Sequence, residues 1–210
     1  MKAVIFDLDG VLTKTDKLHT EAWKEACRLW NIPFSPSVGE LLRGVSRLDS
    51  AKIILEKAGC VLSGQELDRF AGSKNDIYNR LLNDLNNTDV CDGVMEVFEF
   101  LEHRGMRIAV ASSSRNARKI LSQLQIERRF DAVIDGTMIK KSKPDPEVFS
   151  RAVDSLGLLP EECLVVEDAA SGVMAARCLG CHTAGIGKEA WYAGAEYKLQ
   201  SISDIIRIMV

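Results

Sequence analysis

Two carboxylates, Asp7 and Asp9, stand two positions apart in the stretch Ile5-Phe6-Asp7-Leu8-Asp9-Gly10-Val11-Leu12-Thr13. The apolar run Ala3-Val4-Ile5-Phe6 before them reads as a buried strand, and Gly10 lets the chain turn sharply after them. Like charges this close repel, so ionisation of both at neutral pH calls for a cation beside them, and Mg²⁺ is the natural candidate. A calcium loop does not fit the spacing. Its third oxygen ligand falls at Val11, which has none, and Gly10 comes too early. Taken alone the pair is equally well an acidic turn after a strand, so the partners must come from further along the chain.

Three later stretches supply them. Apolar strands end in Ser112-Ser113-Ser114 and in Glu167-Asp168, and Lys143 lies in Lys141-Ser142-Lys143-Pro144-Asp145-Pro146, ahead of a helix. In open parallel sheets the reactive groups collect beyond the carboxyl ends of the strands, which puts these stretches on one edge with Asp7 and Asp9. Each has a plain reading of its own: a helix cap, a surface charge, a solvated strand end. Together they form the inventory of phosphoryl transfer through an acyl phosphate. Asp7 would attack phosphorus, Mg²⁺ held by Asp7 and Asp168 would neutralise charge, and Ser112 with Lys143 would hold the equatorial oxygens. Asp9 is close enough to protonate a leaving oxygen and later to deprotonate an incoming one.

The elements that must position these groups follow from pattern. After the first strand, Thr15 and Asp16 offer caps for a helix over about 18–30, with Leu18, Ala22, Ala26, Leu29 and Trp30 as its apolar stripe. Ser37 opens a short helix to Leu42; another runs from about Leu48 to Ala58 and stops at Gly59; Ser63-Gly64-Gln65-Glu66 is a capping box for a long helix towards Leu85. No strand pattern interrupts this block, which reads as a helical insertion over 15–88. From Gly93 strand and helix alternate: helix to His103-Arg104, strand 107–111, helix 116–124, strand 132–134, helix 145–156, strand 163–166, helix 171–179 and strand 182–184. Alternation of this kind predicts a parallel, Rossmann-like sheet with helices on both faces, built from 1–14 and 89–210. The stretch 186–199 yields no clear element.

Composition narrows the class without naming a substrate. The 210 residues are 46% hydrophobic with a net charge of −3, enough for a substantial core and too little for a basic footprint that would hold nucleic acid or an anionic membrane. The first strand begins right after Met1-Lys2 and no apolar run approaches a membrane span, so a cytosolic protein is expected. Six cysteines (Cys27, Cys60, Cys91, Cys163, Cys178, Cys181) are dispersed and read as reduced thiols. Cys178 and Cys181 lack the second pair that a metal knuckle needs.

In order, Asp7-Leu8-Asp9-Gly10, Ser112, Lys143-Pro144 and Glu167-Asp168-Ala169-Ala170-Ser171-Gly172 resemble the four motifs of the haloacid dehalogenase superfamily over nearly the whole chain. Asp at position 9 is similar to its phosphatase and phosphomutase branches, and the helical block resembles that superfamily's small helical cap. The segment Leu42-Arg43-Gly44-Val45-Ser46-Arg47-Leu48-Asp49-Ser50, with Thr15, His19 and Trp23 upstream and Lys74-Asn75 downstream, resembles the β-phosphoglucomutase family. That resemblance implies a metal site of Asp7, the backbone carbonyl of Asp9, Glu167 and Asp168, and phosphate contacts from Ser112, Ser113, Lys143 and Asn116. It assigns Arg47 to the phosphate that is not transferred, His19 to coupling of binding with cap closure, and Thr15, Trp23, Gly44, Val45, Ser46 and Lys74 to substrate and cap. It implies a sugar phosphate and a sugar bisphosphate as small-molecule partners of a monomer. Lys14 stands where the mutases carry Asp, and Arg43 where they carry Lys. A sugar phosphatase of the same branch and a non-catalytic sugar-phosphate sensor stay open at this point.

Overall fold

A computed structural model describes residues 1–42 and 45–209. In chain order it runs β1 (Ala3–Phe6), α1 (Asp16–Leu29), α2 (Pro36–Glu40), α3 (Arg47–Ala58), α4 (Gly64–Leu81), α5 (Val94–His103), β2 (Arg107–Ala111) and α6 (Ala117–Gln123). It continues with β3 (Ala132–Ile134), α7 (Glu147–Leu156), β4 (Cys163–Glu167), α8 (Ala170–Leu179), β5 (His182–Ile186), α9 (Gly187–Tyr192), β6 (Tyr197–Leu199) and α10 (Asp204–Ile208). Two compact units result: Met1–Lys14 with Asn86–Val210, and Thr15–Leu85.

The first unit is a parallel sheet of order β3-β2-β1-β4-β5-β6, an α/β fold. Its strands read as continuous apolar runs because both faces are covered. Ala3, Ile5, Ala109, Ala111, Cys163 and Val165 pack with Val148, Phe149, Ala152, Val153 and Leu156 of α7 and with Ala175 and Ala176 of α8. On β1 the alternate residues face the other way, where Phe6 meets Phe98 of α5 edge-on at 5.6 Å. Each large side chain buried so completely contributes about 1.5–3 kcal/mol, which places the rigidity of the unit in its central strands. Register then does the positioning. Phe6 pairs with Val110 on one side and Val166 on the other, so Asp7, Ala111 and Glu167 come next, level with one another, at the carboxyl edge.

The second unit is helical. Trp23 of α1 packs on Phe70 of α4 at 5.4 Å, Trp30 meets the same ring at 5.7 Å, and the Trp30 indole N–H donates to Ser73 Oγ at 3.0 Å. The capping box at Ser63 and Glu66 is formed, and Gly59 ends α3 in the left-handed conformation. Some local expectations shift. Thr15 precedes α1 in helical backbone and gives no side-chain cap, with Asp16 already inside the helix. The short helix opens at Pro36 after Ser35, as proline at a first helical position allows. α4 stops at Leu81 and tightens into a 3₁₀ turn over Leu82–Asp84 before reaching Leu85. The unread stretch 186–199 holds α9 and β6, too short for a periodic pattern. Arg43 and Gly44, both named in the cap motif, lie outside the described residues.

Candidate active site

The turn after β1 is built around Gly10. Leu12 and Thr13 both donate to the Leu8 carbonyl, Gly10 donates to the Thr13 carbonyl at 2.7 Å, and Gly10 itself takes φ 84°. A side chain at Gly10 would collide with the Asp168 carboxylate, so the missing Cβ is what lets the loop after β4 approach the loop after β1. Asp7 is left 7% exposed, with its backbone N–H donating to the Val166 carbonyl at 2.9 Å.

Lys143 arrives at the same place from the β3–α7 loop. Its ammonium donates to Asp7 Oδ1 and to Glu167 Oε1, both at 2.5 Å, and to the Ala111 carbonyl at 3.3 Å, with the Phe149 ring centroid 4.8 Å away. It therefore sits on the candidate nucleophile itself. Burial works against the lysine's charge, and Asp7 and then Glu167 outweigh that, holding the group above its ordinary range. The Asp7 carboxyl is raised from 3.8 to about 8, the net of burial, which is the largest cause and raises it, Lys143, which lowers it, and Glu167 and Asp9, which raise it.

Glu167 is fixed from behind. Its Oε2 accepts the backbone N–H groups of Asp168 and Ala169, both at 3.0 Å, and a Cβ on Gly172 would overlap its Oε1. Gly172 belongs to the α8 motif, but its role as a floor under Glu167 has no local signal, since it depends on how tightly α8 turns back over the strand end. Phe149 was likewise indistinguishable in sequence from any apolar helix position.

Asp7, Glu167 and Asp168 each offer a carboxylate oxygen, and these atoms lie within 4.8 Å of one another. The three donors are all hard carboxylate oxygens. That donor set fits a divalent cation of the Mg²⁺ type.

The remaining sequence candidates divide between the two units. In the first, Ser112 is buried and its Oγ accepts the Ser114 N–H at 3.1 Å; Asn116, the residue before α6, donates its own N–H to Ser114 Oγ at 3.2 Å. Ser113 Oγ is buried with no hydrogen-bond partner among the described residues. In the helical unit, Lys74 is 4% exposed, its Nζ 2.7 Å from His19 Nδ1, 4.3 Å from the Tyr78 ring centroid and 5.5 Å from that of Trp23; His19 stacks on Tyr78 at 4.0 Å. Three of the cap candidates, His19, Trp23 and Lys74, thus form one cluster. Thr15 is fully buried at the start of α1, and Tyr78 is a member of the cluster that sequence spacing missed. Ser46 is the N-cap of α3: its hydroxyl accepts from the Asp49 N–H at 3.3 Å and donates to Asp49 Oδ2 at 2.7 Å, with Val45 before it and Arg47 as the first helical residue.

Residues 1–180 match the haloacid dehalogenase-like hydrolases. The chain belongs to that family. Among relatives the chain is 37% identical over 207 residues to the β-phosphoglucomutase of Bacillus subtilis, covering 98% of this chain and 92% of that one. It is 31% identical over 204 residues to a phosphorylated carbohydrates phosphatase of Thermotoga maritima, covering 93% and 92%. Among solved structures, the β-phosphoglucomutase of Clostridium difficile superposes with a TM-score of 0.91 at 30% identity, covering 98% and 93%.

Proposed function

We propose that the protein is a Mg²⁺-dependent β-phosphoglucomutase, interconverting β-D-glucose 1-phosphate and glucose 6-phosphate through β-glucose 1,6-bisphosphate. The observation that carries this reading is the 37% identity to the Bacillus subtilis β-phosphoglucomutase over 98% of the chain, helical unit included.

Phosphorylated on Oδ, Asp7 gives its phosphoryl group to the 6-hydroxyl of β-glucose 1-phosphate while Asp9 takes the hydroxyl proton. The bisphosphate turns over in the site. Asp7 then attacks the phosphorus on C1, that P–O bond breaks, and Asp9 returns the proton to the leaving oxygen, releasing glucose 6-phosphate. Lys143 holds the Asp7 carboxylate in line and, with Ser112, Ser113 and Asn116, donates to phosphate oxygens. Mg²⁺, held by Asp7, Glu167, Asp168 and the Asp9 carbonyl, would supply charge neutralisation for the phosphoryl group. Arg47 takes the phosphate that stays on the sugar, for which a planar bidentate guanidinium is suited, and His19, Trp23, Lys74, Thr15, Gly44, Val45 and Ser46 serve substrate and cap. Among the described residues no helix is long and apolar enough to cross a membrane. The reading makes the enzyme a cytoplasmic monomer whose partners are small sugar phosphates.

The second reading, hydrolysis of a small sugar phosphate, is favoured by one observation, the 31% identity to the Thermotoga maritima phosphatase. Product analysis separates the two. With β-glucose 1-phosphate, Mg²⁺ and a trace of bisphosphate, the mutase forms glucose 6-phosphate without inorganic phosphate. Stoichiometric phosphate release assigns the phosphatase instead.

A further inference from the structure

Between β3 and α7 the chain from Asp135 to Pro146 forms neither helix nor strand, yet it delivers the most buried ammonium of the α/β unit to a defined point. Its first part is tied by Asp135, whose Oδ1 accepts the Thr137 N–H at 2.8 Å, and by the Gly136 N–H, which donates to the Ser114 carbonyl at 3.0 Å. Closer to Lys143 the tie is a side chain from the helix beyond. Glu147 Oε2 accepts the backbone N–H groups of both Lys140 and Lys141, each at 2.9 Å. Its other oxygen, Oε1, accepts from Arg151 Nε at 3.0 Å and Nη2 at 2.7 Å. Asp145 closes the far side, its Oδ1 accepting the Glu147 N–H at 3.0 Å and its own N–H donating to the Ser142 carbonyl at 3.1 Å.

We infer that Glu147, braced by Arg151, is a positioning residue for phosphoryl transfer: it clamps the Lys140–Lys141 backbone to α7 and so sets the Lys143 ammonium on Asp7 and Glu167. This rests on the reading of Asp7 as the phosphoryl acceptor.

An exposed carboxylate–arginine pair four residues apart on a helix is ordinarily worth little. Here one carboxylate oxygen takes two successive backbone N–H groups of a loop, which converts a surface pair into a closure. α7 is a rigid anchor for it, since Val148, Phe149, Ala152, Val153 and Leu156 bury the opposite face. The same helix also carries Phe149, whose ring lies beside the Lys143 ammonium, so both devices that locate Lys143 ride on one element. A lysine side chain has four rotatable bonds, and its stem must start from a fixed backbone if its tip is to be fixed.

The test is a double-mutant cycle on the Mg²⁺-loaded full chain, with transfer between β-glucose 1-phosphate and the bisphosphate as readout. Glu147→Gln is expected to lower kcat about tenfold with KM held within about twofold, in line with the cost of losing groups that orient catalytic side chains. In the Lys143→Ala background the same change is expected to move kcat by less than about twofold, because the positioned group is gone. Equal loss in both backgrounds overturns the inference. A second readout needs no Lys143 variant. The slowly exchanging ammonium resonance of Lys143 in a ¹⁵N-labelled sample is expected to broaden or vanish in Glu147→Gln; an unchanged resonance contradicts the clamp. Wild-type protein that never phosphorylates Asp7 removes the underlying reading, and the ammonium resonance still judges the clamp by itself.

Discussion

Asp7 and Asp9 are neighbours in sequence with different surroundings. Asp7 is buried against Lys143 and Glu167 in the carboxylate cluster, and its carboxyl is raised to about 8, with burial the largest cause, a shift that a bound divalent cation opposes by favouring the anion. Asp9 stands in the turn that Gly10 closes, half-buried and outside the cluster of Asp7, Glu167 and Asp168. The proposed division of labour suits these surroundings: a nucleophile needs a fixed line of attack, and a proton carrier needs contact with the oxygen that leaves or arrives. Asp9→Asn keeps the shape and removes the carboxylate that takes and returns the proton. Its kcat is expected to fall by about 10²–10⁴-fold, with Mg²⁺ binding by calorimetry unchanged. Wild-type kcat in that variant contradicts the assignment.

At the scale of elements, the strand ends and the loops after them do the placing, and Glu147 shows how a helix reaches back to a loop. Its bonds from Arg151, then from the Lys141 and Lys140 N–H groups, lower its pKa from 4.5 to about 2. A depressed acid contributes stability that is present above the unfolded value and lost as pH falls through the folded one. The difference in melting temperature between wild type and Glu147→Gln is therefore expected to be full above pH 4.5 and to shrink as pH drops towards about 2; a difference that grows on acidification contradicts the clamp's charge. Most of these elements were legible beforehand. Gly59 and Gly157 as helix stops, the Ser63 capping box and the apolar strands before Asp7, Ser112 and Glu167 all carry their cause in a few adjacent residues. α9 and β6 did not, being a turn or two of helix and three residues of strand specified by packing on β5, with the Trp191 indole N–H held by the Gly185 carbonyl at 2.7 Å.

At the scale of the whole molecule, an α/β unit is interrupted once by a helical unit, and the likeness to β-phosphoglucomutases and to sugar phosphatases runs across both. The motif residues Asp7, Ser112, Lys143 and Asp168 could be picked out because parallel-sheet topology sends every strand's carboxyl end to one edge. Gly172 under Glu167, Phe149 beside Lys143 and Tyr78 against His19 could not, because each is a contact between distant positions with no pattern of its own. In the proposed mechanism the core chemistry is common to mutase and phosphatase; what separates them is whether a sugar hydroxyl or water accepts the phosphoryl group from Asp7. The most direct measurement is a chase. Protein radiolabelled from β-glucose 1,6-bisphosphate is digested to locate the label, and a parallel sample is chased with unlabelled β-glucose 1-phosphate. The account predicts label on the peptide bearing Asp7 and its passage into sugar bisphosphate and glucose 6-phosphate. Label that never reaches Asp7, or that leaves it as inorganic phosphate at the same rate with and without the sugar phosphate, contradicts it.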